Sequence, residues 1–217
     1  MSQEMRQTEL RQKTQQLLAG SLKHVRAVAL AAALVPLASV AVSQAAAQDG
    51  CSGGCPPPPV SVPSPCDFAT SGGFVLTDSG KKANFGAHGG CKNGEFWGHL
   101  NFMDHNTGYS VNSLDILGYM ASSAAGPTVR DICGTATTNV AEGQPVYFRI
   151  RLVDNGEPGI ADQFGIRLST GYHVTTRMLN EGQKGGGNVQ LHDPNPSTTG
   201  PNPAPDEAAM CNGVAEP

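Results

Sequence analysis

A chain of 217 residues has room for one domain with flanking segments. Its 27 glycines, 16 prolines and only 15% charged residues argue against a long-helix protein and for short strands joined by turns. Of the 14 basic and 18 acidic residues, five basic (Arg6, Arg11, Lys13, Lys23, Arg26) and two acidic precede residue 27, leaving nine and sixteen, a net of −7 that repels phosphate backbones and disfavours nucleic acid as a partner.

In chain order, the basic start runs into an apolar stretch from Ala27 to Val42 and then Ala45-Ala46-Ala47. Basic, apolar and small-residue regions in that order read as a secretory signal peptide over 1–47. A retained anchor is the rival reading. The run is mostly alanine, carries Pro36 and falls short of the ~20 strongly apolar residues of a membrane span. The mature protein is therefore expected outside the cytoplasm, secreted or in the cell envelope, without a membrane span.

All six cysteines follow that cleavage point, which suggests disulfides. Cys51 and Cys55 have no second pair nearby and are followed directly by Pro56 to Pro59, so a local disulfide is favoured over zinc. Residues 48–65 read as a polyproline spacer. Cys91 and Cys133 lie inside the folded part and Cys66 and Cys211 flank it, so the expected pairs are Cys91–Cys133, Cys66–Cys211 and Cys51–Cys55. The Pro/Asn/Thr-rich stretch from Asp193 to Pro217 reads as a tail with almost nothing to bury.

Between residues 66 and 192 the period is two. "PVYFRIRLVD" places Val146, Phe148, Ile150 and Leu152 on one face and Tyr147, Arg149 and Arg151 on the other. "DQFGIRLS" and "GEFWGHLNFM" repeat the alternation, and six weaker candidates cover Phe74–Thr77, Lys82–Ala87, Tyr109–Tyr119, Thr128–Thr138, Tyr172–Met178 and Asn188–His192. About nine short strands with Gly-rich turns predict an all-β fold, an antiparallel sandwich or small barrel.

The order of "TSGGFVLTDSGKKANFG", "GEFWGHLNFMDHNTGYSV", "VRDICGTA", "RLVDNGEPGIADQFGIRLSTGY" and "GGGNVQLH" resembles the post-COAP domain family of exported bacterial β-domains. The resemblance spans nearly the whole folded part. It implies an exported β-rich module, often beside other extracellular domains, and carries no catalytic residues over.

Several constellations carry chemistry by type. In "GHLNFMDHN", His99 and His105 lie on one strand face but roughly 20 Å apart, too far for one metal, so the stretch reads as a strand and its turn. A neighbouring strand could still supply a partner such as His88 or His173. Glu95, Asp104, Asp115 and Asp162 are acids of the kind a secreted hydrolase would use. No Gly-x-Ser-x-Gly elbow, His-Glu-x-x-His helix or phosphate loop occurs in the sequence. Trp97, the sole tryptophan, reads either as a sugar-stacking platform together with Tyr109 or as a ring half-covered by a loop. In "DNGEPGIAD", Asp154, Asn155, Glu157 and Asp162 offer hard oxygens, so the loop reads as a hairpin connection or as a calcium site. Three functions follow: an exported non-catalytic module with a structural or ligand-binding role, a secreted hydrolase with a strand-end site, and a carbohydrate-binding module whose partner is a glycan or other cell-surface component.

Overall fold

The computed structural model describes residues 60–121, 125–141 and 143–217. The chain divides into two units, Met1–Gly50 and Cys51–Pro217, and every described residue belongs to the second. The segment expected to be a signal peptide, and the Cys51–Cys55 pair, lie outside the described residues.

Among the described residues nine strands form one antiparallel sheet: β1 (Phe68–Leu76), β2 (Lys82–Lys92), β3 (Glu95–Asp104), β4 (Ser110–Ala121), β5 (Val129–Thr138), β6 (Val146–Val153), β7 (Gln163–Leu168), β8 (His173–Met178) and β9 (Gly187–His192). Their order is β8-β7-β6-β5-β4-β3-β2-β1-β9. Eight strands meander, and β9 returns to pair with β1. The sheet curls into a half-barrel. Phe164 on β7 stacks on Phe85 of β2 with ring centres 3.9 Å apart and lies 6.2 Å from Phe102 of β3. With Leu100, Phe148, Ile150, Leu152 and Ile166, all fully buried, these rings fill the interior. Burying each such side chain stabilises the fold by about 1.5–3 kcal/mol.

Strands β8 and β9 are the two ends of the sheet, and side chains close the distance between them. Asp162 accepts the Val189 N–H at 2.7 Å and Asp154 the Leu191 N–H at 2.8 Å, so the β6–β7 loop supplies the acceptors that a further strand would give β9. Arg177 of β8 donates to the Leu76 carbonyl at 2.8 Å and pairs with Asp78, tying β8 to the end of β1.

The C-terminal stretch expected to bury almost nothing is part of the fold. It covers the outer face of β4–β6, ending in a short helix, α1 (Glu207–Cys211), capped by the Asp206 carboxylate on the Ala209 N–H. Met210, Cys211 and Val214 are buried. Met210 lies flat against Gly118, where any Cβ would run into it. Beneath this cover Arg149, 2% exposed, binds Asp131 at 2.6 Å and Glu207 at 2.6 Å. Arg151 binds Asp131 at 2.8 Å and Glu216 at 2.7 Å. The outward arginines of the best-patterned strand are thus neutralised by the tail. A buried cation demands partners, and composition alone does not show that the tail supplies them.

Among the described residues the disulfides are Cys66–Cys91, with Cα atoms 5.9 Å apart, and Cys133–Cys211, at 5.1 Å. The expected pairs Cys91–Cys133 and Cys66–Cys211 are corrected. Cys91 shares the inward face of Phe85 and Ala87, whereas Cys133 packs with Met120 and Met210 on the outer face, opposite Ile132. Opposite faces of one sheet cannot be bridged directly. Cys66 instead sits beside Cys91 because the Cys91 N–H bonds the Asp67 carbonyl at 3.3 Å. Two disulfides point to an oxidising, extracytoplasmic compartment, and no helix among the described residues is long and apolar enough to cross a membrane.

Candidate functional site

With the interior filled and the β4–β6 exterior covered, the chemistry-bearing groups at the surface concentrate on the outer face of β9, β1, β2 and β3. The registers Phe68↔His192, Phe68↔Gly90 and Gly90↔Trp97 set one row across it. The registers Thr70↔His88 and His88↔His99 set the next. Phe68 and His192 stack with centres 4.3 Å apart. Trp97 lies 6.0 Å from Phe68 and 5.4 Å from His88, and its indole N–H donates to the Cys91 carbonyl at 3.2 Å, fixing the ring. Gly90 leaves the space that the Phe68 side chain fills; a Cβ there would strike it. His192 bonds the Thr70 hydroxyl at 2.8 Å, and His99 Nδ1 bonds the Ser113 hydroxyl at 3.0 Å. Phe68, His88, Trp97 and His192 are half-buried and His99 is exposed. Burial first, and then the charge of His99, hold the His88 imidazole below its ordinary value.

Trp97 and Tyr109 do not meet. Trp97 is near the start of β3 and Tyr109 follows its end, roughly 20 Å away along the strand. Tyr109 is buried, stacks on Tyr172 at 4.5 Å and bonds the Thr170 hydroxyl at 3.2 Å. The rings that neighbour Trp97 are those of Phe68 and His88. Phe68 sits on a strand segment whose glycines hide the period-two signal, whereas His192 ends the expected segment Asn188–His192.

The four oxygen-bearing residues of the β6–β7 loop are committed to the fold. Asp162, with no exposed surface, accepts the Asn155 N–H at 2.8 Å as well as that of Val189. Asp154 accepts Gly156 N–H at 2.9 Å beside Leu191, Asn155 donates to the Ala161 carbonyl at 2.7 Å, and Glu157 accepts from the Asn188 amide at 3.0 Å. Gly159, at φ 75°, lets the loop close on Asn188 where a side chain would collide. The loop is therefore a latch holding β9, with the carboxylate oxygens of Asp154 and Asp162 each accepting an N–H group. Among the described residues, no three of His, Cys, Asp and Glu gather as a metal set.

The remaining acids do not converge either. Glu95 and Asp115 are exposed. Asp104 is buried at the turn after β3, where Asn106 N–H (2.8 Å), the Thr107 hydroxyl (2.9 Å) and the Tyr172 hydroxyl (3.0 Å) bond it. Burial raises its carboxyl, but those bonds outweigh burial and hold it below the usual range. Two open cavities flank the tail. One of about 560 Å³ is lined by Val60, Arg149, Glu207, Cys211 and Val214, and one of about 450 Å³ lies between Val62–Cys66 and Asn195–Ala204. In the first, Glu207 is already paired with Arg149. No family profile matches the chain, and no curated protein or solved structure is significantly similar to it.

Proposed function

We propose that this protein is an exported, non-catalytic β-module that recognises a ligand on the outer face of β9, β1, β2 and β3. The observation that carries the reading is the asymmetry of the sheet's exterior: the chain's own tail buries the β4–β6 side, while Phe68, His88, Trp97, His99 and His192 stay at the surface of the other. Export belongs to the same reading, supported by the signal-like segment 1–47 and the two disulfides, and agrees with the post-COAP resemblance of the motif series. A pinned indole flanked by a stacked Phe–His pair suits ligands with an apolar face and hydrogen-bonding edges, of which cell-surface sugars are the common case. The hydrolase reading lacks a comparable observation, since Asp104 and Asp162 are occupied by structural hydrogen bonds.

A glycan array probed with the purified protein tests this, with Trp97→Ala and His192→Ala as comparisons. Binding that weakens at least about tenfold in both variants, at unchanged circular dichroism, is the expected result. Binding equal to that of the unaltered protein in both variants would place recognition elsewhere.

A further inference from the structure

We infer that His88 and His99 form a two-histidine site for a transition-metal ion that prefers imidazole, with copper(II) the tightest of the divalent ions. The two residues are direct cross-strand partners in the ten-residue β2–β3 ladder, and their ring centres stand 6.1 Å apart. A ring centre lies about 1.2 Å behind its donor nitrogen and the metal about 2.0–2.1 Å in front of it. Two imidazoles on one ion therefore have centres roughly 5–6.5 Å apart, from tetrahedral to linear angles. The observed separation falls in that interval.

Both rings are oriented from behind. Ser113 Oγ stands 3.0 Å from His99 Nδ1 and accepts the Leu100 N–H at 2.9 Å, so the hydroxyl is itself fixed. With Nδ1–H donating to that oxygen, the lone pair of Nε2 is left for a metal, the support that ligating histidines commonly have. His88 lies against Trp97, which its own hydrogen bond to Cys91 holds in place. The sheet supplies two nitrogens and no third protein donor of the His, Cys, Asp or Glu type gathers with them among the described residues. Water or an external ligand completes the shell, as in open sites. Affinity for such a nitrogen pair rises from manganese to copper and falls again at zinc. This inference does not depend on the sugar-binding reading, since the copper titration is run with no glycan present.

Trp97, the sole tryptophan, stands 5.4 Å from His88 and reports occupancy. Titration of the full chain with copper(II) is expected to quench its emission to a plateau at one equivalent. His88→Gln and His99→Gln should each abolish that plateau, and Ser113→Ala should weaken binding about tenfold or more. His105→Gln, an exposed turn histidine, should leave it unchanged. Electron paramagnetic resonance of the one-equivalent complex of the unaltered protein should show coupling to two imidazole nitrogens, a readout that needs no variant to fold. Quenching that persists with the same midpoint in His88→Gln and His99→Gln, or a spectrum without paired imidazole coupling, would overturn the site.

Discussion

Asp162 shows what a single carboxylate does in this fold. Fully buried, it takes one N–H from its own loop and one from β9. Replacing it with alanine strands both donors, and leaving buried donors unmade costs about 1–3 kcal/mol each. Urea unfolding of Asp162→Ala should therefore show a loss of about 2–5 kcal/mol, with a smaller loss for the half-buried Asp154→Ala. Added calcium should leave the melting temperature of the intact protein unchanged, because the oxygens that would bind it already hold N–H groups; a calcium-dependent rise would contradict the latch. From the sequence, Asp154 and Asp162 were legible as oxygen donors but not by purpose. A carboxylate serves a cation or an N–H equally well, and only the return of β9 to β1 brings the N–H groups there. His88 makes a separate prediction. Its folded value lies below its unfolded one, so the unfolded chain binds the proton more readily. Stability should be full above the unfolded value of about 6.5 and decline as the pH drops below it. Melting scans from pH 7.5 to 5 should show that decline, and His88→Gln should flatten it. Asp104, held low, loses its contribution only in a more acidic window.

At the scale of elements, every strand of the sheet was readable where branched and aromatic residues alternate with polar ones. The edges were not. β1 begins at Phe68 and β2 runs to Lys92, both beyond the expected segments, because "FATSGG" and "HGGCK" carry glycines where the inward residue should be. Those hidden segments hold Phe68, which the sequence did not single out, and His88, which it offered only as a partner that a neighbouring strand could bring to His99. The disulfides failed for a related reason: position in the chain says which cysteines flank a domain, whereas the face of each strand decides which can touch. Peptide mapping without reduction should return Cys66–Cys91 and Cys133–Cys211, and a Cys91–Cys133 peptide would contradict this arrangement. Phe164→Ala, which removes the ring stacked on Phe85, should cost about 3–5 kcal/mol in urea unfolding.

The described unit is a curled sheet whose two exteriors have different fates. On one, Asp131 and the tail neutralise Arg149 and Arg151, and the Cys133–Cys211 bond fastens the cover. Asp131→Ala should cost about 3–5 kcal/mol by leaving Arg149 buried and short of a partner, read as a lower urea midpoint. On the other, aromatic and imidazole side chains remain in reach of solvent, and this exposed face is the basis for assigning recognition to it. The class of fold was legible because alternation is a local property. The face proposed for recognition was not, because it depends on which exterior the tail covers. The most direct measurement is chemical-shift mapping of the isotope-labelled protein against a glycan that it binds on the array. Shifts confined to Phe68, His88, Trp97, His99, His192 and their strand neighbours are the predicted result; shifts centred on Tyr109 and Tyr172, or on the cavity beside α1, would contradict it.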